Sequence, residues 1–347
     1  MMQYKSPQPK KLFDEEFRLE KLSAQNDPLV KLKERIDFEL FRPLLEETFC
    51  KEEKGIGGAR PYDYVMMFKI LILQRYYNIG DDKMEFAILD RLSFMRFLGL
   101  SLSDKVPDAK TIWLFREQLT KENTAEKLFD LFKKELQKKN LIANEGKIID
   151  ASFVEVPIQR NNRDENKQIK EGKTPDEWKE NPNKLEQKDV DARWTKKNGK
   201  SYYGYKDHVK ADTKSKLIES YEVTDASVHD SQETEPLLSE KDKGQPLHAD
   251  SAYSGEPVQK LVEKNEMKNH IHEKGYRNNP LTEEQKENNR IKSKTRARVE
   301  HIFGFIENSM NGSFIRTIGI KRATAVIGLM NLTYNLFRAI QLGYSSA

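Results

Sequence analysis

The 347 residues are 37% hydrophobic and 33% charged, and 60 Lys and Arg against 56 Asp and Glu leave a formal charge of only +4. At ~100–200 residues per domain a chain of this length divides into two domains, or three with an insertion, which excludes a single small binding module, and its 17 Phe, 13 Tyr and 3 Trp exclude a disordered chain. The near balance of charge names no partner by itself, while the single cysteine, Cys50, rules out a disulfide framework or a cysteine-ligated zinc finger and fits a reducing cytoplasm.

Met1 to Asp14 has lysines but no apolar core of the length a secretory signal needs. Residues 1–60 are charged and helix-prone up to about Cys50, and Lys51–Arg60, with three glycines, reads as a flexible joint. From Pro61 the apolar Tyr64, Val65, Phe68, Leu71 and Ile72 recur at helical spacing, predicting a helix to about Tyr77. Asp82 and Glu85 have capping-box spacing and open a second helix through about Leu89; Asp108 caps a third through Leu119, and a fourth covers about Thr124–Lys139. Such a region is either a small DNA-binding bundle or a purely structural one.

The pattern changes at Gly146. Lys147–Pro157 is short and β-rich, and about Tyr203–Asp212 and Lys216–Thr224 form a hairpin around Thr213-Lys-Ser215. Asp230 and Glu233 cap a helix to about Leu238, Leu247–Asp250 is a strand, Gly255–Lys264 a helix and Asn269–His272 another strand, so this part is a mixed α/β domain. Between the first strand and the hairpin, Ile158–Lys200 holds 12 Lys or Arg and 9 Asp or Glu with almost no aliphatic residues, and reads as a loop or a partly disordered insertion. Helices at about Lys294–Asn308 and Ala323–Leu342 end the chain. The apolar runs Val65–Leu73 and Ala323–Leu342 are broken by Lys69 and by Asn331, Asn335 and Arg338, which suits buried or amphipathic helices and no membrane contact.

Three carboxylates stand out: Asp150 in the first strand, Asp250 at the end of a later one and Glu300 on a carboxyl-terminal helix, separated by 100 and 50 residues. Position alone also fits turn and cap residues. Phosphodiester cleavage by two divalent ions supplies a reason to group them, because it needs hard oxygen ligands converging from several elements, and carboxylates suit Mg²⁺ or Mn²⁺. Five basic residues and no acid lie between Arg290 and Arg298, among them Lys292, Lys294, Arg296 and Arg298, and they form either a phosphate-binding surface or a solvated helix face. Lys206 and His208 alternate along a strand with Tyr202, Tyr203 and Tyr205, a pattern open to base stacking or to ordinary packing. His229 and His248 read best as structural histidines, since no paired His spacing exists. No glycine-rich phosphate loop with a following Lys-Ser or Lys-Thr occurs, so no nucleotide cofactor is expected.

Arg60-Pro-Tyr62, Pro107–Ile112, Ile149-Asp-Ala-Ser-Phe-Val154, Tyr203–Val209, His229-Asp-Ser231, Ala249-Asp-Ser-Ala-Tyr253 and Arg296-Ala-Arg-Val-Glu-His301 occur in this order. Through them the chain, from about Arg60 to Leu342, resembles the DDE transposases of the insertion-sequence-five group, within the insertion-sequence-four/five superfamily. The resemblance implies a metal-dependent enzyme that cuts DNA at the ends of a mobile element and joins them to a target, with Asp150, Asp250 and Glu300 as catalytic residues and ligands of two Mg²⁺ or Mn²⁺ ions. It further implies an α+β multidomain architecture, an all-helical region at 1–140 recognising element ends and a ribonuclease H-like catalytic domain at 141–345 with the polar insertion at about 158–200. DNA in the form of terminal repeats and target, a homodimer on it, and a cytoplasmic, nucleoid-associated location in bacteria follow from the same likeness. Many relatives surround the glutamate with a Tyr, Arg, Glu and Lys signature. Arg296 and Glu300 match it, whereas Ser293 and Glu307 stand at the other two positions, with Lys294, Arg298 or Arg316 as substitutes. The rival readings are a catalytically silent DNA-binding descendant and a plain metal-dependent nuclease.

Overall fold

In a computed structural model that describes residues 13–49, 60–197 and 199–346, the first third is helical. It comprises α1 (Asp14–Ala24), α2 (Pro28–Arg35), a 3-10 turn at Phe38–Phe41, α3 (Arg42–Phe49), α4 (Tyr64–Tyr77), α5 (Asp81–Asp90), α6 (Leu92–Leu98), α7 (Ala109–Lys121) and α8 (Thr124–Lys138). Local chemistry sets several of the ends: the Asp63 and Asp108 carboxylates accept from Met66 N and Thr111 N, and Asn78 closes α4 in the left-handed conformation. The expected capping box at Asp82 is absent. Helix α5 starts one residue earlier behind Gly80, and Asp81 in its first turn takes a forked pair from Arg116, with both oxygens at 2.6 Å. The joint expected at Lys51–Arg60 lies, apart from Arg60, outside the described residues, as does Cys50.

The remainder carries β1 (Lys147–Glu155), α9 (Arg163–Lys170), α10 (Asp176–Lys179), α11 (Pro182–Glu186), β2 (Arg193–Lys197), β3 (Lys200–Asp212), β4 (Ile218–Asp225), α12 (Thr234–Leu237), β5 (Pro246–His248), α13 (Glu256–Lys264), β6 (Lys268–Asn269), α14 (Glu283–Arg296), α15 (Arg298–Gly304), a π-helical turn at Phe305–Ser309 and α16 (Ile320–Gln341). Among the described residues the strands form one sheet in the order β2-β3-β1-β5-β6, with β4 on β3. Strand β3 is antiparallel to β1, β2 and β4, while β5 runs parallel to both β1 and β6.

Three expectations change. The insertion is folded, because the buried Trp178 indole donates to Glu165 Oε1 at 2.7 Å and α9 is opened by a capping box of Asn162 and Glu165. Few apolar residues are needed when Trp178, with Ile169 and Ala192, supplies the core. The helix expected at Lys294–Asn308 begins at Glu283, breaks at Ala297 and ends in the π-helical turn. The stretch at Asp230–Leu238 is a 3-10 turn capped by His229, followed by α12; Asp230 is instead buried in an ion pair.

Helix α16 is buried along most of its length and joins the two regions. Towards the helical bundle Phe337 stacks on Tyr76 at 4.1 Å and Arg322 forks onto Glu117 of α7. Towards the sheet Asn335 brackets the Ile218 backbone, accepting from its N–H at 2.9 Å and donating to its carbonyl at 2.8 Å, while the Tyr334 hydroxyl and Arg338 reach the carbonyls of Lys216 and Ser215. Tyr334, Asn335 and Arg338 therefore satisfy backbone groups of the β3–β4 turn and the start of β4. No helix among the described residues is long and apolar enough to cross a membrane.

Candidate active site

Side chains alternate across a strand, so Asp150 shares one face of β1 with Ile148, Ser152 and Val154. The parallel pairing of β1 with β5 aligns Lys147 with Leu247 and Ile148 with His248, and continuing that register sets Asp250 beside Asp150, just past the end of β5. Asp250 caps the 3-10 turn Ser251–Tyr253 by accepting from Ala252 N at 2.7 Å. Helix α15 packs on β1 and carries Glu300 in its first turn, two-thirds exposed. Between Asp150 and Glu300 lies the Arg296 guanidinium: Nη1 donates to Asp150 Oδ2 at 3.0 Å and Nη2 to Glu300 Oε1 at 3.3 Å.

Burial pushes the Asp150 carboxyl up to about 6; the hydrogen bond from Ala151 N opposes this, the Asp250 charge adds to it, and Arg296 and Lys197 pull the other way. Tyr253 lies beneath with its hydroxyl buried and without a partner, and burial first, then the charges of Asp150, Asp230 and Asp250, hold it well above its ordinary range. Two residues along the same face, Ser152 Oγ donates to Glu307 Oε1 at 2.9 Å.

The structure thus joins Asp150 and Glu300 through Arg296, and the β1–β5 register carries Asp250 towards Asp150. Lys294 is exposed on α14. Lys292 donates to the Ile271 carbonyl and Arg298 to the Thr213 carbonyl, each at 2.9 Å, so both brace the fold. Lys206 and His208, expected as surface contacts, are buried: Lys206 Nζ pairs with Asp230 Oδ1 at 2.7 Å and the His208 ring meets Thr224 Oγ1 at 2.8 Å, because α12 and the turn before it cover that face. Burial lowers the imidazoles of His208 and His248 to about 4, in keeping with structural histidines. Ser152, Tyr253 and Lys197 were missed; for Ser152 the available signal was its place two residues beyond Asp150.

Residues 143–336 match the family model described as "Transposase DDE domain", and residues 17–118 match "Transposase domain (DUF772)". The chain belongs to the DDE transposase family. Among solved structures this transposase is similar to the piggyBac transposase synaptic complex with hairpin DNA, at 14% identity over 91% of this chain and 75% of that one, with a TM-score of 0.46. Among the described residues of the transposase no three His, Cys, Asp or Glu side chains gather closely enough to enclose an ion. The donor set itself fits one: Asp150, Asp250 and Glu300 are hard oxygen ligands, and a place that already draws a guanidinium between two carboxylates favours positive charge.

Proposed function

We propose that this transposase cuts DNA at the ends of an insertion sequence of the insertion-sequence-five group and joins the freed ends to target DNA, with Asp150, Asp250 and Glu300 as its catalytic residues. The observation that supports the reading is the parallel β1–β5 register, which runs towards Asp150 and Asp250, together with the Arg296 guanidinium between Asp150 and Glu300. The catalytic region takes a ribonuclease H-like fold, the helical region at 1–140 recognises element ends, and two copies act together because two ends must be held before joining.

Asp150, Asp250 and Glu300 would hold Mg²⁺ or Mn²⁺, which when bound lowers the pKa of water and neutralises charge building on the phosphate. The protein's own part is positional. Arg296 holds Asp150 and Glu300 from one side, Ala151 N and Ala252 N orient the two aspartates, and the exposed Lys294 offers a phosphate contact on the approach. Glu307 and Ser293 stand where relatives carry basic and aromatic groups, which favours the catalytically silent descendant as the second reading.

Purified protein with Mg²⁺ and labelled DNA bearing the inverted repeats that flank its gene, run beside Asp250→Asn, tests this. Cleavage with joined products, lost in the variant, is expected. Cleavage without joining would leave a nuclease, and binding alone the silent DNA-binding protein.

A further inference from the structure

Strand β2 and the start of β3 form a hairpin, with Trp194 opposite Tyr203 and Thr195 opposite Tyr202. From Arg193 to Lys206 there are five basic residues and no acid. Trp194 is 49% exposed although it stands in a strand. On the other face Phe153 and Tyr202 stack at 4.2 Å and 13°, with Lys197 Nζ 5.7 Å from the Phe153 ring and Lys200 Nζ 4.8 Å from the Tyr202 ring. Among the described residues Lys196, Lys197 and Lys200 are exposed and form no ion pair with an acid, and the stretch around them holds no acid of its own.

Strand β1 carries Asp150 and, three residues on, Phe153, whose ring stacks on the hairpin's Tyr202. Register also puts Trp194 on the Asp150 face, since Trp194 opposes Tyr203, and Tyr205, two residues on, opposes Val154.

We propose that this hairpin grips unpaired DNA at the strand end entering the Asp150–Asp250 site, with Trp194 stacking on a base and Lys196, Lys197 and Lys200 meeting phosphates. An exposed ring flanked by cations is the combination that binds single strands with little regard to sequence. A fully paired duplex gives such rings nothing to stack on, because its bases already stack on one another. The inference rests on the transposase reading above and adds a location and a strand state to it.

Full-length protein with divalent ions chelated is titrated, by fluorescence anisotropy, against one duplex in two forms: fully paired, and with a short unpaired 3′ tail. Trp194→Ala should weaken binding of the tailed form about tenfold and of the paired form less than twofold, and Trp194→Phe should recover most of the loss. Replacing Lys196, Lys197 and Lys200 by Ala should flatten the salt dependence on the tailed form by about 0.7 in log–log slope per lost contact. Melting temperatures establish that each variant is folded. Undiminished affinity of Trp194→Ala for tailed DNA, or equal losses on both forms, overturns the hairpin's role alone. Wild-type protein that binds neither form overturns the transposase reading and the hairpin with it.

Discussion

Asn331 on α16 donates through Nδ2 to Oδ1 of Asp207 on β3 at 3.0 Å, while its own Oδ1 is buried without a partner. Burial pushes the Asp207 carboxyl up to about 7, opposed by that one hydrogen bond. A protonated carboxyl has a donor for the orphaned oxygen, so geometry and proton affinity agree. The folded carboxyl binds its proton more tightly than the unfolded one, which titrates near 3.9. Stability from this group is therefore full below that value and is lost as pH rises to about 7. Asp207→Asn keeps both hydrogen bonds and cannot titrate. Across pH 4 to 8 the wild-type melting temperature should fall relative to the variant; parallel curves would refute the assignment.

Arg296 touches both Asp150 and Glu300, and among the described residues neither acid has another side-chain donor at hydrogen-bond distance. Groups that orient site carboxylates typically contribute about 10–100-fold to activity. Arg296→Lys, which offers one nitrogen where the guanidinium offers two set apart in a plane, should slow end cleavage by that factor with an unchanged melting temperature. Full activity in the lysine variant would show that the bridge is incidental.

Gly328 lets α16 approach β4: a Cβ there would lie 2.2 Å from the Tyr221 hydroxyl and 2.9 Å from its ring carbon. Gly328→Ala should destabilise by about 1–3 kcal/mol through overpacking. The Tyr221 hydroxyl is itself buried and unpartnered, so Tyr221→Phe should be neutral or stabilising and should relieve part of the Gly328→Ala loss. Denaturant melts of the two single variants and the double variant give the coupling.

Trp178 anchors the inserted helices through its burial and its bond to Glu165. Trp178→Ala should cost about 3–5 kcal/mol locally, more than so small a unit can lose. Limited proteolysis should then cut within 158–192 while the sheet and the bundle stay intact. A protected insertion would mean that its short helices need no such anchor.

These features differ in how visible they were in the sequence. Asp108 as a helix cap, the β3–β4 hairpin and the amphipathic α13 are local patterns, and the chain folds there as those patterns require. Asp150 and Asp250 could be picked out because each sits at a strand, and strand register then decides whether they meet. The insertion misled because its core is a tryptophan and two small or aliphatic residues among charges, which composition cannot distinguish from disorder. Lys206 misled because a polar residue in a strand ordinarily faces water, and only the distant Asp230 explains its burial. The bridge from Arg296 to Asp150 and the bond from Ser152 to Glu307 join residues about 150 positions apart, beyond the reach of any periodicity.

Helix α16 is chemically part of both regions, and the apolar core runs unbroken from Leu29 through the bundle and the sheet to Tyr344. The front region is consequently no detachable reading head. A descendant that acquired a foreign front end by recombination would inherit an exposed apolar seam along the last helix, and shortening the gene by its final few dozen codons would dissolve the bundle and the sheet together. New sequence preferences in this lineage should arise by substitution on the surface, with the two regions passed on as one piece.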